Sequence, residues 1–475
     1  MLFEKSYQSH IIQEELNSTR KTKNSQSMKK DGSFNITKKA KKYLVLFMKT
    51  SSIHGLNHIV AARRHPLEIL LWLITVGLCA FGSLYLSQTT WSRYQSSPTV
   101  ISMDRDMFAW NTTFPCVTIC PDNVLDEKKL AIYLRSFKEE DKSTLEAFIR
   151  GLSNISYENF NTVPIYDGIP SDKYLELILN FTTTFKPTLT IGVTGVTLGI
   201  VPTITEMGLC YAVNSKVAVY NSPEYRSANR WDIIKKPNET LFIHPLDGEV
   251  YAQVMNLSTG YKVYIHGPSE VPDVATKNMY SEKDFYLKLY VTAVAIYTTS
   301  DAAELSISQR RCRFPEENNL LHNSIYSYTM CRMECRIRLC LKYCRCIPHF
   351  YRKIGDERIC DVKGLQCLSK YKDELTKLRQ KNGMKIDCGC YPLCEDINYV
   401  LQSNALQPWF LGTNFQWGMV TYPRMRYRRD IIFGFTDVLV AVGGMAGLFL
   451  GCSVLSFMEI LYFLTLRLVC YAKVK

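Results

Sequence analysis

Eleven consecutive residues near the C-terminus, Gly443-Gly444-Met445-Ala446-Gly447-Leu448-Phe449-Leu450-Gly451-Cys452-Ser453, combine small side chains with an apolar setting. Small residues let helix backbones approach closely inside a membrane. Glycines also permit a break, which exposes carbonyls able to coordinate a partly dehydrated cation. Glu459, just beyond this run, is costly to hold in hydrocarbon unless it faces water. The chemistry on offer is cation coordination. A helix-dimerisation face with a snorkelling carboxylate uses the same residues, so this segment alone leaves pore and packing open.

Two apolar stretches must position these groups. Leu67–Leu86 carries Glu68 as its only charge and follows Pro66, which suits the first turn of a helix. About 20 residues at ~1.5 Å each match a ~30 Å hydrocarbon core. The second stretch, Ile431–Leu466, carries only Asp437 and Glu459. As one helix it would measure about 54 Å, so it must tilt, break or extend beyond the bilayer. The N-terminus is polar and Lys-rich with no cleavable signal, which leaves the first stretch as a signal anchor flanked by Lys49, Arg63 and Arg64. The expected layout is a cytosolic arm over 1–66, a first span over 67–87, an extracellular domain over 88–430, a second span over 431–466 and a short cytosolic tail over 467–475. Both termini are then cytosolic, in a two-pass plasma-membrane protein. Arg424, Arg426, Arg428 and Arg429 on the outer flank of the second span argue the other way. Long loops, however, translocate largely regardless of charge.

Composition supports a large domain outside the membrane. Of 475 residues, 47% are hydrophobic and 21% charged, too polar for a many-span transporter. The net charge of +13 is uneven: residues 1–66 hold thirteen Lys/Arg against four Asp/Glu, a net of +9. Because a span follows, this arm suits anionic membrane lipid and not nucleic acid. No phosphate loop, His-rich metal set or nucleophile constellation is present, and the eight histidines are scattered. Neither an enzyme nor a bound cofactor or metal is expected.

Cysteines and sequons place the long loop outside. Of 17 cysteines, Cys79, Cys452 and Cys470 lie in or beside the spans. The other fourteen are Cys116, Cys120, Cys210, Cys312, Cys331, Cys335, Cys340, Cys344, Cys346, Cys360, Cys367, Cys388, Cys390 and Cys394. An even, dense set confined to the loop reads as a disulfide framework, with connectivity left open. A zinc cluster using Cys331 and Cys335 would leave too many thiols unused. Glycosylation acceptors occur at Asn111, Asn154, Asn180, Asn238 and Asn256. Within the loop, helical spacing covers 126–150, and strands are expected at Phe114–Cys120, where the β-branched and polar stretch Thr99–Ile119 ends, in 183–220, and at Glu249–Met255, Tyr261–His266 and Lys288–Thr299. Further helices are expected from Pro315 to about Tyr343 and at Leu368–Lys381, giving an α+β ectodomain.

These residues together resemble the degenerin/epithelial sodium channel family, in its pickpocket-like arthropod branch. Gly443–Phe463 resembles that family's second span, with its G-x-S filter at Gly451-Cys452-Ser453. His54-Gly55 matches the N-terminal His-Gly motif linked to gating. Phe114–Cys120 resembles F-P-A-V-T-I-C with Cys116 in place of alanine, and Gly208-Leu209-Cys210-Tyr211 fits a further motif. Cys331-x₃-Cys335, Cys344-x-Cys346-x-Pro348 and Cys388-x-Cys390-x-Pro392-x-Cys394 fit the cysteine-rich region. The resemblance spans about residues 51–465.

It implies a homo- or hetero-trimer with related subunits, and a voltage-independent, amiloride-sensitive sodium pore gated by an unidentified extracellular stimulus. It also implies a hand-like ectodomain with a β-sheet palm and a helical thumb. Gly451, Cys452 and Ser453 would form the constriction, Glu459 would attract the permeant Na+ at the inner mouth, and Asp437 would lie near the outer vestibule. Gly443 and Gly444 would serve gating, with the family's small position falling at Val440, or at Ala441 after a one-residue slip. Cys452 is expected to be a free thiol. Two other readings use the same span count. One is a non-conducting two-span adhesion or auxiliary protein. The other is a purinergic-type receptor, whose lysine cluster and cysteine pattern are missing here.

Overall fold

The computed structural model describes residues 39–62, 64–192, 198–228 and 240–473. The chain divides into two compact units, Met1–Pro98 with Ile432–Lys475, and Thr99–Ile431.

The first unit is helical. Helix α1 covers 39–50, α2 is Leu56–Val60 and α3 is Pro66–Ser96. Pro66 sits in the first turn of α3, where its missing N–H costs nothing. The α3 helix runs ten residues past the apolar stretch read from sequence, because Ser87–Ser96 contains no glycine or proline to stop it. Its leucines point outward on several faces, with Leu67, Leu71, Leu78, Phe81 and Leu84 all exposed. A helix apolar all round needs lipid or partner helices about it. The second apolar stretch is interrupted: α13 is Phe435–Leu450, α14 is Val454–Tyr462, a π-helical turn covers Phe463–Arg467 and α15 is Leu468–Lys473. Two helices, Pro66–Ser96 and Val454–Tyr471, are long and apolar enough to cross a membrane.

The second unit is a mixed α+β domain. Its seven-stranded sheet runs β1 (Thr99–Asp104), β14 (Arg426–Ile431), β11 (Phe285–Thr298), β13 (Thr413–Met419), β8 (Val250–Leu257) and β4 (Thr188–Ile191), with β12 (Asp396–Pro408) also on β11. A five-stranded sheet runs β10 (Met279–Ser281), β9 (Tyr261–His266), β3 (Cys116–Pro121), β6 (Gly208–Val213) and β5 (Ile200–Thr205). A two-strand pair joins β2 (Thr112–Thr113) to β7 (Phe242–Ile243). Strand β13 is buried throughout because it lies between β11 and β8 with both faces covered. Phe415 stacks on Trp417 at 5.0 Å, and Trp417 Nε1 donates to Pro115 O at 3.0 Å. The bond satisfies the indole where water is absent.

Helices α4 (Glu127–Leu134), α5 (Glu139–Ser153) and α6 (Tyr174–Asn180) form one part of the helical core. Short helices α7 (Pro223–Ala228), α8 (Ser300–Ala303) and α9 (Ile307–Arg310) precede α10 (Tyr328–Cys344), α11 (Val362–Ser369) and α12 (Lys372–Lys377). On α5, Leu145, Phe148, Ile149 and Leu152 recur at helical spacing and meet Met330, Ile337, Leu365 and Leu375 in one core. Within it Arg336, fully buried, faces Glu206 and Asp273, an arrangement whose value lies in full pairing.

Helix α10 starts later than the expected Pro315. Asn318, Asn323 and Ser324 favour turns, Tyr326 N–H bonds Pro315 O at 2.9 Å, and Ser327 caps the helix by accepting Met330 N–H at 3.1 Å. The helix expected at Leu368–Lys381 is shorter: α11 ends at Ser369, and within the expected range only α12, Lys372–Lys377, follows, closed by Leu378 in the left-handed conformation.

Six disulfides join Cys120–Cys210, Cys312–Cys394, Cys331–Cys390, Cys335–Cys388, Cys344–Cys367 and Cys346–Cys360. Cys116 and Cys340, expected among the bridged residues, are free thiols. Cys116 is buried in β3 and its Sγ donates to Asn214 O at 2.7 Å, so a polar turn takes the place of a cysteine. Cys340 lies five residues past Cys335, about 140° around α10. It therefore points into the aromatic core, 3.6 Å from Tyr157 Oη, while Cys331 and Cys335 share the bridged face.

The four arginines that argued against an external loop belong to this domain. Arg426 pairs with Asp104 at 3.0 Å, Arg428 with Asp430 at 3.3 Å, and Arg429 is buried in β14.

Candidate functional site

The site forms where α13 ends. Gly451 adopts the left-handed conformation (φ 64°) and closes the helix, its N–H reaching Gly447 O at 2.9 Å. Residues 451–453 are non-helical. Ser453 then starts α14 as an N-cap: its Oγ accepts Ser456 N–H at 3.3 Å and its N–H donates to Ser456 Oγ at 3.1 Å. Glycine and serine thus supply a C-cap and an N-cap back to back. The break is written into residue types.

The segment before α2 packs onto this break. His54 N–H donates to Leu450 O at 3.0 Å, satisfying a carbonyl that α13 leaves without an intrahelical partner. The His54 ring lies so close that a Cβ on Gly451 would sit 1.7 Å from His54 Nδ1. Ser52 N–H and hydroxyl donate to Glu459 Oε2 at 3.0 and 2.7 Å, and Ser456 Oγ lies 2.8 Å from Ser52 Oγ. Gly55 holds the turn in place with φ 88°, and a Cβ there would meet Val76 Cγ2 on α3 at 2.6 Å. His58 stacks on Trp72 at 4.4 Å just beyond.

The structure therefore brings His54, Gly55, Gly451, Cys452, Ser453 and Glu459 into one cluster. Among the described residues it brings nothing beyond their own helix against Gly443 or Gly444, since no such atom lies within 4 Å of either added Cβ. Val440 is exposed and Ala441 half-buried on the same helix. The close approach between α3 and α13 uses Gly82 instead, where an added Cβ would lie 3.2 Å from Phe449 Cε1. Asp437 accepts Gly434 N–H at 2.8 Å at the start of α13. Ser52 and Ser456 were not singled out from sequence. Their signal was available in Ser456 standing three residues after Ser453, the spacing of a cap. The acceptors Asn111, Asn154, Asn180 and Asn256 are all exposed, and Asn238 lies outside the described residues.

Residues 47–463 match the family described as "Amiloride-sensitive sodium channel". The chain belongs to this family. It is a family of ion channels and not of enzymes. Among relatives of this sodium channel family member, Pickpocket protein 28 of Drosophila melanogaster is 22% identical over 503 residues, covering 91% of this chain and 80% of that protein. Pickpocket protein 11 of Drosophila melanogaster is 24% identical over 449 residues, covering 90% and 76%. Sodium channel protein Nach of Drosophila ananassae is 21% identical over 473 residues, covering 89% and 86%. A solved proton-activated chloride channel aligns with a TM-score of 0.24 and 7% identity over 84% of this chain and 97% of that one, a likeness too slight to carry an argument.

Proposed function

We propose that this protein is a sodium channel subunit whose α13–α14 break lines the ion path. The observation that carries the reading is the Gly451–Ser453 interruption, held by His54 from below. A broken helix at membrane depth is tolerated where it lines water or is buried in protein. In this reading, backbone carbonyls at 451–453 and the Ser453 hydroxyl replace part of the cation's hydration shell. Glu459, tied by one oxygen to Ser52, contributes negative field beside the constriction. Exposed apolar faces on α3 and α13, and glycines 443–444 with open space around them, suit packing against further subunits, a trimer of identical or related chains.

The sidedness follows the cysteines. Six disulfides and exposed sequons in Thr99–Ile431 suit an extracellular domain, which puts residues 39–62 and the C-terminal end in the cytosol. Amiloride block, and gating by a stimulus acting on the ectodomain, belong to the same proposal.

The test is expression alone and with related subunits, followed by reversal-potential measurement while sodium is replaced by other cations. A sodium-selective, amiloride-blocked current that Ser453→Cys alters in ion preference supports the pore. A conducting assembly whose conductance and preference ignore both Ser453→Cys and Gly451→Ala refutes it. Surface protein without current in any combination would favour a tethered receptor.

A further inference from the structure

Buried cations in the ectodomain are mostly met by carboxylates. Arg336 faces Glu206 and Asp273, Arg332 pairs with Asp273, Arg310 with Glu317, and His322 lies between Glu334 and Glu357. Arg226 on α7, half-buried, is different. Its Nη1 donates to Phe350 O and its Nη2 to Asn221 Oδ1 at 3.2 Å, both neutral acceptors. Its Nε is enclosed with no acceptor. Among the described residues no carboxylate forms an ion pair with it. An uncompensated enclosed charge is costly, which is why such groups are normally paired.

The surroundings add positive charge. Arg352, beside it, stands over the Tyr225 ring at 5.9 Å. Burial and the Arg352 charge push Arg226 down to about 9. His349, 6% exposed, also has an enclosed Nδ1 without a hydrogen-bond partner, and burial with the Arg226 charge pushes it down to about 3. Arg226 and Arg352 line one small cavity with Asn221, Asn323 and Phe350, of about 20 Å³. That exceeds the ~10–15 Å³ needed for one water-sized occupant and is too small for phosphate, sulfate or an organic acid. Glu206 borders the same cavity, but its oxygens are already taken by Arg336 and Tyr351.

We propose that this cavity is a halide site, in which Arg226 Nε binds a single chloride ion with Arg352 as the second cation. The ion would bridge α7 to the 347–352 segment, itself fixed by the Cys346–Cys360 disulfide. That chloride is the resident halide rests on the extracellular reading of this domain. Binding by the purified protein does not, so the two can fail separately.

The experiment uses full-length protein in detergent, melted in about 150 mM sodium chloride, bromide or gluconate at equal ionic strength. Chloride and bromide are expected to raise the midpoint by roughly 2 °C or more over gluconate, the signature of a ligand bound only by the folded state. Arg226→Gln should abolish the increment, and Arg352→Gln should reduce it if Arg226→Gln does not fold. Bromide-soaked crystals should give an anomalous peak beside Arg226 Nε. Equal midpoints in chloride and gluconate, an increment unchanged in both variants, or a water or a carboxylate of the chain itself in that position would each overturn the proposal.

Discussion

Gly451→Ala is the sharpest perturbation of the helix break. Its Cβ would stand 1.7 Å from His54 Nδ1, where ordinary contact begins near 3.4 Å, so the ring must retreat by about 1.7 Å. Retreat pulls His54 N–H from Leu450 O, a bond of 3.0 Å whose loss costs roughly 1 kcal/mol. Lost ring packing adds about another 1 kcal/mol. Seating of the 51–54 segment should then weaken by ~2 kcal/mol, roughly 30-fold. Alanine in the left-handed region costs a further ~1–2 kcal/mol locally. The assay is oxidative cross-linking of Ser52→Cys to Ser456→Cys, whose hydroxyl oxygens are 2.8 Å apart, which reads seating without needing a current. Gly451→Ala should cut the cross-linking rate strongly, while Gly77→Ala, with open space around it, should not. In a His54→Gly background the Gly451→Ala effect should shrink, giving a coupling of about 1–2 kcal/mol. An unchanged rate in Gly451→Ala, or an equal loss with and without His54, would refute the contact.

Alkylation of unreduced, denatured protein should label five thiols per chain, Cys79, Cys116, Cys340, Cys452 and Cys470; three would mean that Cys116 and Cys340 are joined. Cys210→Ala should lower ectodomain stability by roughly 2–5 kcal/mol in a denaturant series, through loss of the β3–β6 bridge, and a cost near zero would contradict it. The carboxylates of Glu334 and Glu357 hold His322 above its ordinary 6.5 against burial. A raised folded value means its stabilisation is complete below 6.5 and is lost as pH rises from there through the higher folded value, so melting temperature should fall on the alkaline side and His322→Gln should flatten the decline. Glycosidase should shift the gel mobility of wild type, and removing Asn111, Asn154, Asn180 and Asn256 together should shrink that shift; no shift in wild type would contradict an external loop.

Local pattern carried much of the fold. Strand β9 falls at Tyr261–His266 as its alternation suggests, β8 and β11 lie within a few residues of expectation, and both apolar stretches are helical. The region 126–150 reads as helical in sequence and divides into α4 and α5 at the turn around Phe137. What sequence did not reveal is non-local. Cys116 and Cys340 look like any other ectodomain cysteine until their neighbours are known. The meeting of Ser52 with Glu459, and of His54 with Gly451, joins residues some four hundred positions apart, for which no periodicity speaks. The break itself was half visible: glycine density announced that the helix could stop, and Ser453 with Ser456 marks where it begins again.

Helix α10 is pinned at Cys331 and Cys335 to Cys390 and Cys388 by two covalent rungs, and Cys312–Cys394 ties the chain before it to the same irregular stretch, which leads into β12. A spring of noncovalent contacts would absorb a pull on the distal end of α10 by stretching or fraying. A laddered strut has no such slack. A displacement of α10 is carried covalently to the stretch that enters β12 at Asp396, and reducing the rungs would leave noncovalent contacts alone to carry it.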